Sequence, residues 1–290
     1  MDPSSVDLSS LLAAWDYDEE NTVRRIRADD GREVLQVRLP LGIEQYEMHG
    51  RPDGKRPMKR ESWLHYYAKK ADLLLKDGRE FVLRDDDFSR LYREGLLYYH
   101  RYVLFFQIRE YQLCARDTRR NLKLLDFISR HAAPEKSEEL VQYRPYIHRM
   151  NVMARALDRI QDDDDIVTAL RILRRGIREI EEMPPIAENS VFKYERSRSL
   201  KSLKGLLQGL APHARARAST AKKSEGRTER PASLEEDVLE KPLDPEAALE
   251  REMVRAIREE DYERAAILRD EIARRVQARD PAEESPGPGS

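Results

Sequence analysis

The sequence predicts a mainly α-helical protein with a small antiparallel β element near its N-terminal end. Two observations favour this class. An apolar pattern with helical spacing runs from about residue 60 to 210, and an Asp-Gly turn separates two strand-like segments before it. The charged fraction is 37%, above the roughly 25% of an average soluble domain, which fits exposed helices carrying opposite charges.

Composition excludes several classes of protein. The formal net charge of −2 gives no overall sign of a nucleic-acid or membrane binder. A single cysteine, Cys114, excludes an internal disulfide framework and fits a reducing compartment. No window approaches the ~18 apolar residues of a membrane span, and the N-terminus does not resemble a signal peptide. We therefore expect a cytoplasmic protein with no membrane association and no cofactor.

The predicted β element occupies residues 1–60 together with the N-terminal segment. Strand-like runs lie at 22–28, 33–39 and 42–48, and the first two flank the turn sequence DDGR. In the second run, Leu35, Val37 and Leu39 alternate with polar residues, which places Arg38 on the opposite face of the strand. We expect a small sheet that rests on the following helices.

The helical domain is predicted over residues 61–210. Helices are expected at 61–76, 96–108, 114–131, 138–160, 163–182 and 188–209. Tyr98, Tyr102, Phe105 and Phe106 recur at a helical spacing that favours burial, and His100 among them is expected to pack against the core. Residues 153–185 resemble a helix-turn-helix of the tetratricopeptide type. Without a clear neighbouring copy, a degenerate helical array and an ordinary helical bundle both fit.

A linker is predicted over residues 211–243, where aromatic residues are rare and Ala, Ser and charged residues are common. Within 213–230, six Lys or Arg face two Glu, a local net charge of +4. Such a run is typical of a solvated tether, and it could also contact nucleic-acid phosphates. The candidate residues for that second role are Arg215, Arg217, Lys222 and Lys223.

A C-terminal helical hairpin is predicted over residues 244–278, followed by a disordered tail at 279–290. Asp244 and Pro245 form a helix-start signal, and Asp261 is placed to cap a second helix. A hairpin this short buries too little apolar surface to be stable alone, so its apolar stripe should dock on another surface. Its charge over 244–280 is −3, which disfavours binding to a DNA backbone.

The expected docking surface is apolar, with two charged residues that fix its register. Its members are Leu249, Met253, Ile257, Tyr262, Ala265, Ala266, Leu268, Arg269, Asp270 and Ile272.

Residues 249–272 resemble the UVR motif, the helical hairpin named from excinuclease subunits B and C. The resemblance rests on Leu249, Met253, Ala256, the turn Asp261–Glu263, the paired alanines and the stretch LRDEI. It implies pairing with another UVR-containing protein, an excinuclease subunit or a Clp-type ATPase system. The rest of the chain has no P-loop and no nuclease-like carboxylates, so a complete excinuclease subunit is excluded.

Motifs for catalysis or metal binding are weak. The run QDDDDI at 161–166 could bind a divalent cation or cap a helix, and Asp86 or Asp87 is expected to cap another. The six histidines show no metal-ligand spacing, and Cys114 is expected to be a buried thiol. The sequence thus predicts no catalytic and no metal site, and hence a non-catalytic adaptor or regulatory scaffold. The alternatives are a DNA-repair accessory protein that binds DNA through the linker, and a hairpin that docks on its own chain or forms a homodimer.

Overall fold

The computed structural model describes residues 7–18, 21–163, 165–186 and 189–220, with the backbone alone at 162–163 and 215–220. This part of the chain is mainly helical, with one three-stranded antiparallel sheet near the N-terminal end. The predicted fold class is confirmed.

The sheet is a meander of β1 (Val23–Arg27), β2 (Glu33–Leu39) and β3 (Gly42–Glu47), in that spatial order. The first turn contains Gly31 with φ of +84°, a left-handed conformation that favours glycine. The Gly31 N–H donates to the Ala28 carbonyl at 2.8 Å. The Asp-Gly turn of the sequence is therefore the β1–β2 turn.

One face of the sheet carries the predicted apolar residues. Leu35 pairs with Tyr46 across the β2–β3 ladder, and both are buried, as is Val37. Leu39 is 39% exposed, because it lies at the end of β2 beside the tight turn into β3.

The second face of the sheet is also covered. Arg38 is 6% exposed and its Nε donates to the Trp15 carbonyl at 2.7 Å. The guanidinium of Arg24 lies 3.8 Å from the centre of the Trp15 ring. The segment after the short helix α1 (Ser9–Ala13) thus packs on the polar face of β2, which the sequence alone did not indicate.

Seven further α-helices follow the sheet along the described part of the chain, after a short 3-10 helix at Pro57–Lys59. They are α2 (Trp63–Lys76), α3 (Asp85–Gln107), α4 (Tyr111–His131), α5 (Pro134–Val141), α6 (Arg144–Asp163), α7 (Ile166–Glu181) and α8 (Ser190–Thr220). α6 packs against α4, α7 and α8, while α3 packs against α4.

Two predicted helix boundaries differ from the structure. The single helix expected at 138–160 is divided between α5 and α6. α8 continues to Thr220, into the segment predicted as linker from 211. Alanine and arginine dominate 214–218, and both are strong helix formers, so this end of the helix is favoured despite its polar composition.

The aromatic residues of α3 form part of the core. Tyr98, Tyr102, Phe105 and Phe106 are all buried, which confirms the predicted stripe. His100 is exposed, contrary to expectation. Two residues along a helix correspond to about 200° of rotation, so His100 lies opposite Tyr98 and Tyr102.

α2 is anchored by a carboxylate from the neighbouring helix. Glu94 of α3 is fully buried and accepts hydrogen bonds from the backbone N–H groups of Trp63 at 2.7 Å and Leu64 at 3.1 Å. Arg51 also donates to Glu94, at 3.0 Å. A carboxylate at a helix N-terminus accepts hydrogen bonds from otherwise unpaired N–H groups, and its negative charge is attracted to the positive end of the helix dipole.

The predicted helix-turn-helix corresponds to α6 and α7. Ala156, Ala169 and Leu173 are fully buried between helices. A Cβ atom added at Gly176 would overlap the side chain of Val152, so α6 and α7 approach each other closely at this glycine.

Candidate functional site

The predicted docking residues, from Leu249 to Ile272, lie outside the residues that the structure describes, as do Lys222 and Lys223. Arg215 and Arg217 belong to the last turns of α8, where only the backbone is described. The docking geometry and the DNA contacts of these residues therefore stay predictions.

The described part of the chain contains an arginine-lined groove between α4, α6 and α7, with a volume of about 520 Å³. Six arginines line it: Arg116, Arg119, Arg155, Arg159, Arg171 and Arg175. Among the described lining residues, Asp158 and Glu179 are the carboxylates, so the described ionisable side chains of the groove carry a formal charge of +4. Ala115, Val152 and Ile172 contribute apolar surface. We call this feature the arginine groove.

Helical spacing brings these arginines together. Each of the three helices contributes a pair of arginines three or four residues apart, and residues at that spacing lie on the same helix face. The pairs are Arg116 with Arg119, Arg155 with Arg159, and Arg171 with Arg175. The groove was missed in the sequence because its arginines span sixty residues, although each pair could have been recognised.

Some charges of the groove already have partners. Arg116 donates to Asp117 at 2.9 Å and to the Met48 carbonyl at 2.9 Å. Arg175 donates to Glu179 at 2.8 Å, and Glu179 also lies 3.0 Å from Nε2 of His148.

Three arginines of the groove have no such partner. Within the described residues, Arg119, Arg155 and Arg171 make no hydrogen bond or ion pair. Arg119 and Arg171 are exposed, and Arg155 is half-buried. No described side chain occupies their donors, so these three arginines are the groove's candidates for contact with a bound group.

The positively charged arginines of the groove repel one another. Burial, followed by repulsion from Arg119, lowers the pKa of Arg155, and Glu179 offsets part of this effect. Arginine remains charged at neutral pH under such a shift. Like charges held close together are stabilised when an anion binds between them, so the groove favours an anionic ligand.

Other candidate groups take part in packing or capping. Cys114 is buried, as predicted, and burial raises the pKa of its thiol. The Asp165 side chain accepts from the Thr168 N–H at 2.9 Å and so caps α7. The expected cap at Asp86 or Asp87 was wrong, because α3 begins at Asp85 and Arg84 occupies the cap position. Asp87 instead accepts from the Tyr67 hydroxyl at 2.6 Å.

Among the described residues, no group of three or more His, Cys, Asp or Glu side chains could hold a metal ion. No described helix combines the length and apolar character needed to cross a membrane.

Comparison with known protein families identifies the C-terminal segment. Residues 247–274 match the family model of the UvrB/uvrC motif. The chain carries a UVR motif. The matched range contains all ten predicted docking residues, and the resemblance inferred from the sequence is confirmed. The UVR match covers a short part of the 290 residues, and no curated protein or solved structure matches the chain.

Proposed function

We propose that this protein is a non-catalytic cytoplasmic adaptor or regulatory scaffold whose UVR motif docks on a partner protein. The match of residues 247–274 to the UVR family model is the observation that carries the proposal. The partner would be another UVR-containing protein, an excinuclease subunit or a Clp-type ATPase. In each case an apolar stripe of the motif, flanked by Arg269 and Asp270, makes the contact.

Physical chemistry supports protein docking by this segment. The segment from 244 to 280 has a net charge of −3, which opposes binding to a phosphate backbone. It is also below the roughly 40 residues at which domains become stable without disulfides, metals or association, and it contains no Cys or His. Burial of its apolar stripe on a partner would supply the missing stabilisation. Tethering to a larger helical body raises the local concentration of the motif near anything that body binds.

The test is affinity capture from host lysate, with and without nuclease, comparing the wild type with Ala266→Glu. In the proposed contact, Glu at 266 would be buried without a partner, so capture through this surface should be lost. Ala282→Glu introduces the same charge beyond the matched residues and should capture as the wild type does. Capture of the same proteins by Ala266→Glu and wild type would overturn the proposal.

A second candidate function is an accessory role in DNA repair. The observation that favours it is the local charge of +4 over residues 213–230. In this case the captured partner is an excinuclease subunit, and Arg215, Arg217, Lys222 and Lys223 bind DNA with an affinity that falls steeply as salt increases. Replacement of these four residues by Gln should abolish that salt-dependent binding. Equal DNA affinity of the variant and the wild type would exclude the linker contact.

Truncation after Lys241 distinguishes docking on an external partner from docking on the same chain or formation of a homodimer. Sedimentation and thermal melting of the full chain are compared with those of the truncated form. Self-docking or homodimer formation predicts that truncation changes the association state or the melting temperature. If truncation changes neither, the motif docks on an external partner.

A further inference from the structure

The arginine groove carries an inference that does not depend on the UVR motif. Among the side chains that the structure describes, six guanidinium groups from three helices line one concave surface, together with two carboxylates. Arg119, Arg155 and Arg171 have no hydrogen-bond or ion-pair partner in the described part of the chain. A folded protein rarely concentrates like charges without compensation, because their repulsion destabilises the compact state. The groove is therefore suited to a ligand that brings negative charge.

The chemical class of that ligand follows from the donors. Arginine offers planar, fork-shaped pairs of N–H groups that match the oxygens of phosphate and carboxylate groups. A ligand with several phosphoryl groups concentrates more negative charge in a small volume than a carboxylate does. The described side chains of the groove carry a formal charge of +4, which a ligand with several phosphoryl groups can neutralise.

The size and lining of the groove favour a small ligand. A volume of about 520 Å³ lies within the roughly 300–1,000 Å³ of small-molecule sites. The described lining contains no aromatic side chain on which a nucleobase could stack. The formal net charge of the whole chain is −2, so no extended basic surface is implied for a nucleic-acid backbone.

We propose that the arginine groove binds a small polyphosphorylated anion through Arg119, Arg155 and Arg171. Arg155, on the central helix of the three, is half-buried, and its charge is the least hydrated of the set. Ile172, which is partly exposed, provides an apolar surface beside these arginines, above the buried Ala115 and Val152. Binding would relieve the repulsion among the arginines and stabilise the α4–α6–α7 unit.

The test is isothermal titration calorimetry of the full-length protein with sodium tripolyphosphate at fixed ionic strength. Arg155→Gln/Arg171→Gln removes two of the three proposed contacts. Hydrogen bonds to charged groups typically change affinity about tenfold or more, so this double variant should bind at least about a hundredfold more weakly. Thermal melting of the wild type should shift upward with tripolyphosphate, and that of the double variant should not.

The matched control is Arg174→Gln/Arg178→Gln on α7. Both residues are exposed, neither lines the groove, and the change in net charge is the same. This control should bind tripolyphosphate as the wild type does. The basic residues of 213–230 are present in every variant, so any contribution from them cancels. If the double variant does not fold, the exposed single substitution Arg171→Gln replaces it, with an expected loss of about tenfold.

Three outcomes would overturn the proposal. The first is the absence of tripolyphosphate binding by the wild type at millimolar concentration. The second is equal binding by the groove variant and the α7 control. The third is groove-dependent binding of a 24-nucleotide DNA that is tighter than that of tripolyphosphate, which would make the groove a nucleic-acid site.

Discussion

Arg101 and Asp117 form a buried ion pair with two hydrogen bonds, Nε to Oδ2 at 2.7 Å and Nη2 to Oδ1 at 3.0 Å. Arg101 has no exposed surface, and Asp117 is 1% exposed. The guanidinium also donates to the carbonyls of Glu47 at 2.6 Å and Gly50 at 2.9 Å. A single side chain thus connects α3 with α4 and with the end of the sheet.

Substitution Arg101→Met should lower the free energy of unfolding by about 3–5 kcal/mol, measured by urea denaturation. The loss arises because the Asp117 carboxylate stays buried after its main partner is removed. Arg116 still donates to Asp117 at 2.9 Å, so the effect should fall at the lower end of this range. The matched control is Arg79→Met, which removes an exposed pair with Asp77.

The Arg79→Met control should change stability by less than about 1 kcal/mol, because exposed ion pairs contribute little. The variant Arg101→Met/Asp117→Leu should recover part of the loss, since it removes the unpaired charge. An Arg101→Met variant as stable as the Arg79→Met control would contradict the role assigned to this pair.

Gly176→Ala should destabilise the protein, because its added methyl overlaps Val152 where α6 and α7 meet. Overpacking of this kind costs about 1–3 kcal/mol, which exceeds the gain of about 1 kcal/mol from replacing a helical glycine. Gly205→Ala in α8 is the control, since open space surrounds its Cβ position, and it should leave stability unchanged or increased. Thermal and urea denaturation measure both variants.

A compensating substitution tests the cause of the Gly176 effect. Val152→Ala removes the atoms that the new methyl would meet, so Gly176→Ala should be better tolerated in that background than in the wild type. Equal penalties in the two backgrounds would show that contact with Val152 is not the source.

Features encoded in contiguous sequence were predictable. The Asp-Gly turn needs only Gly31 in a left-handed conformation, and the α3 stripe needs only helical spacing. The UVR motif is recognisable for the same reason, because its apolar spacing and turn residues lie within one short segment.

Features built from distant segments were not predictable. Arg38 is buried because Trp15, from an earlier segment, covers it. Arg101 donates to backbone carbonyls near residue 50, about fifty residues away along the chain. The arginine groove likewise forms only where faces of three helices meet. Sequence periodicity identifies the face of each helix but does not determine which faces meet.

Asp165→Ala should lower the melting temperature, because the Thr168 N–H loses its capping acceptor at the start of α7. Asp165→Asn retains an acceptor oxygen and should melt close to the wild type. This pair of variants also separates capping from metal binding, the other interpretation of the Asp run. A Mg²⁺- or Ca²⁺-dependent rise in melting temperature that Asp165→Asn abolishes would favour a cation site instead.

His148→Gln should reduce the loss of stability on acidification between pH 7 and 5. Burial lowers the pKa of His148 below its ordinary 6.5, and Arg144 and Arg155 add to the effect while Glu179 opposes it. The folded state therefore binds fewer protons at His148 than the unfolded state does. The stability linked to neutral His148 is complete above pH 6.5 and is lost as the pH falls from there through the lowered pKa.

Melting temperatures of the wild type and His148→Gln across this range measure the effect, with the exposed His213→Gln as the matched control. Glu179 does not obscure the result. Burial raises its pKa, but hydrogen bonds from Arg175 and His148 lower it overall, so this carboxylate titrates below the tested range. The wild type and the His213 control should lose stability in parallel, and His148→Gln should lose less. If His148→Gln instead loses more stability than the wild type on acidification, the folded protein favours the protonated imidazole. In that case the attraction of Glu179 outweighs the effect of burial on the His148 pKa, and the prediction is wrong.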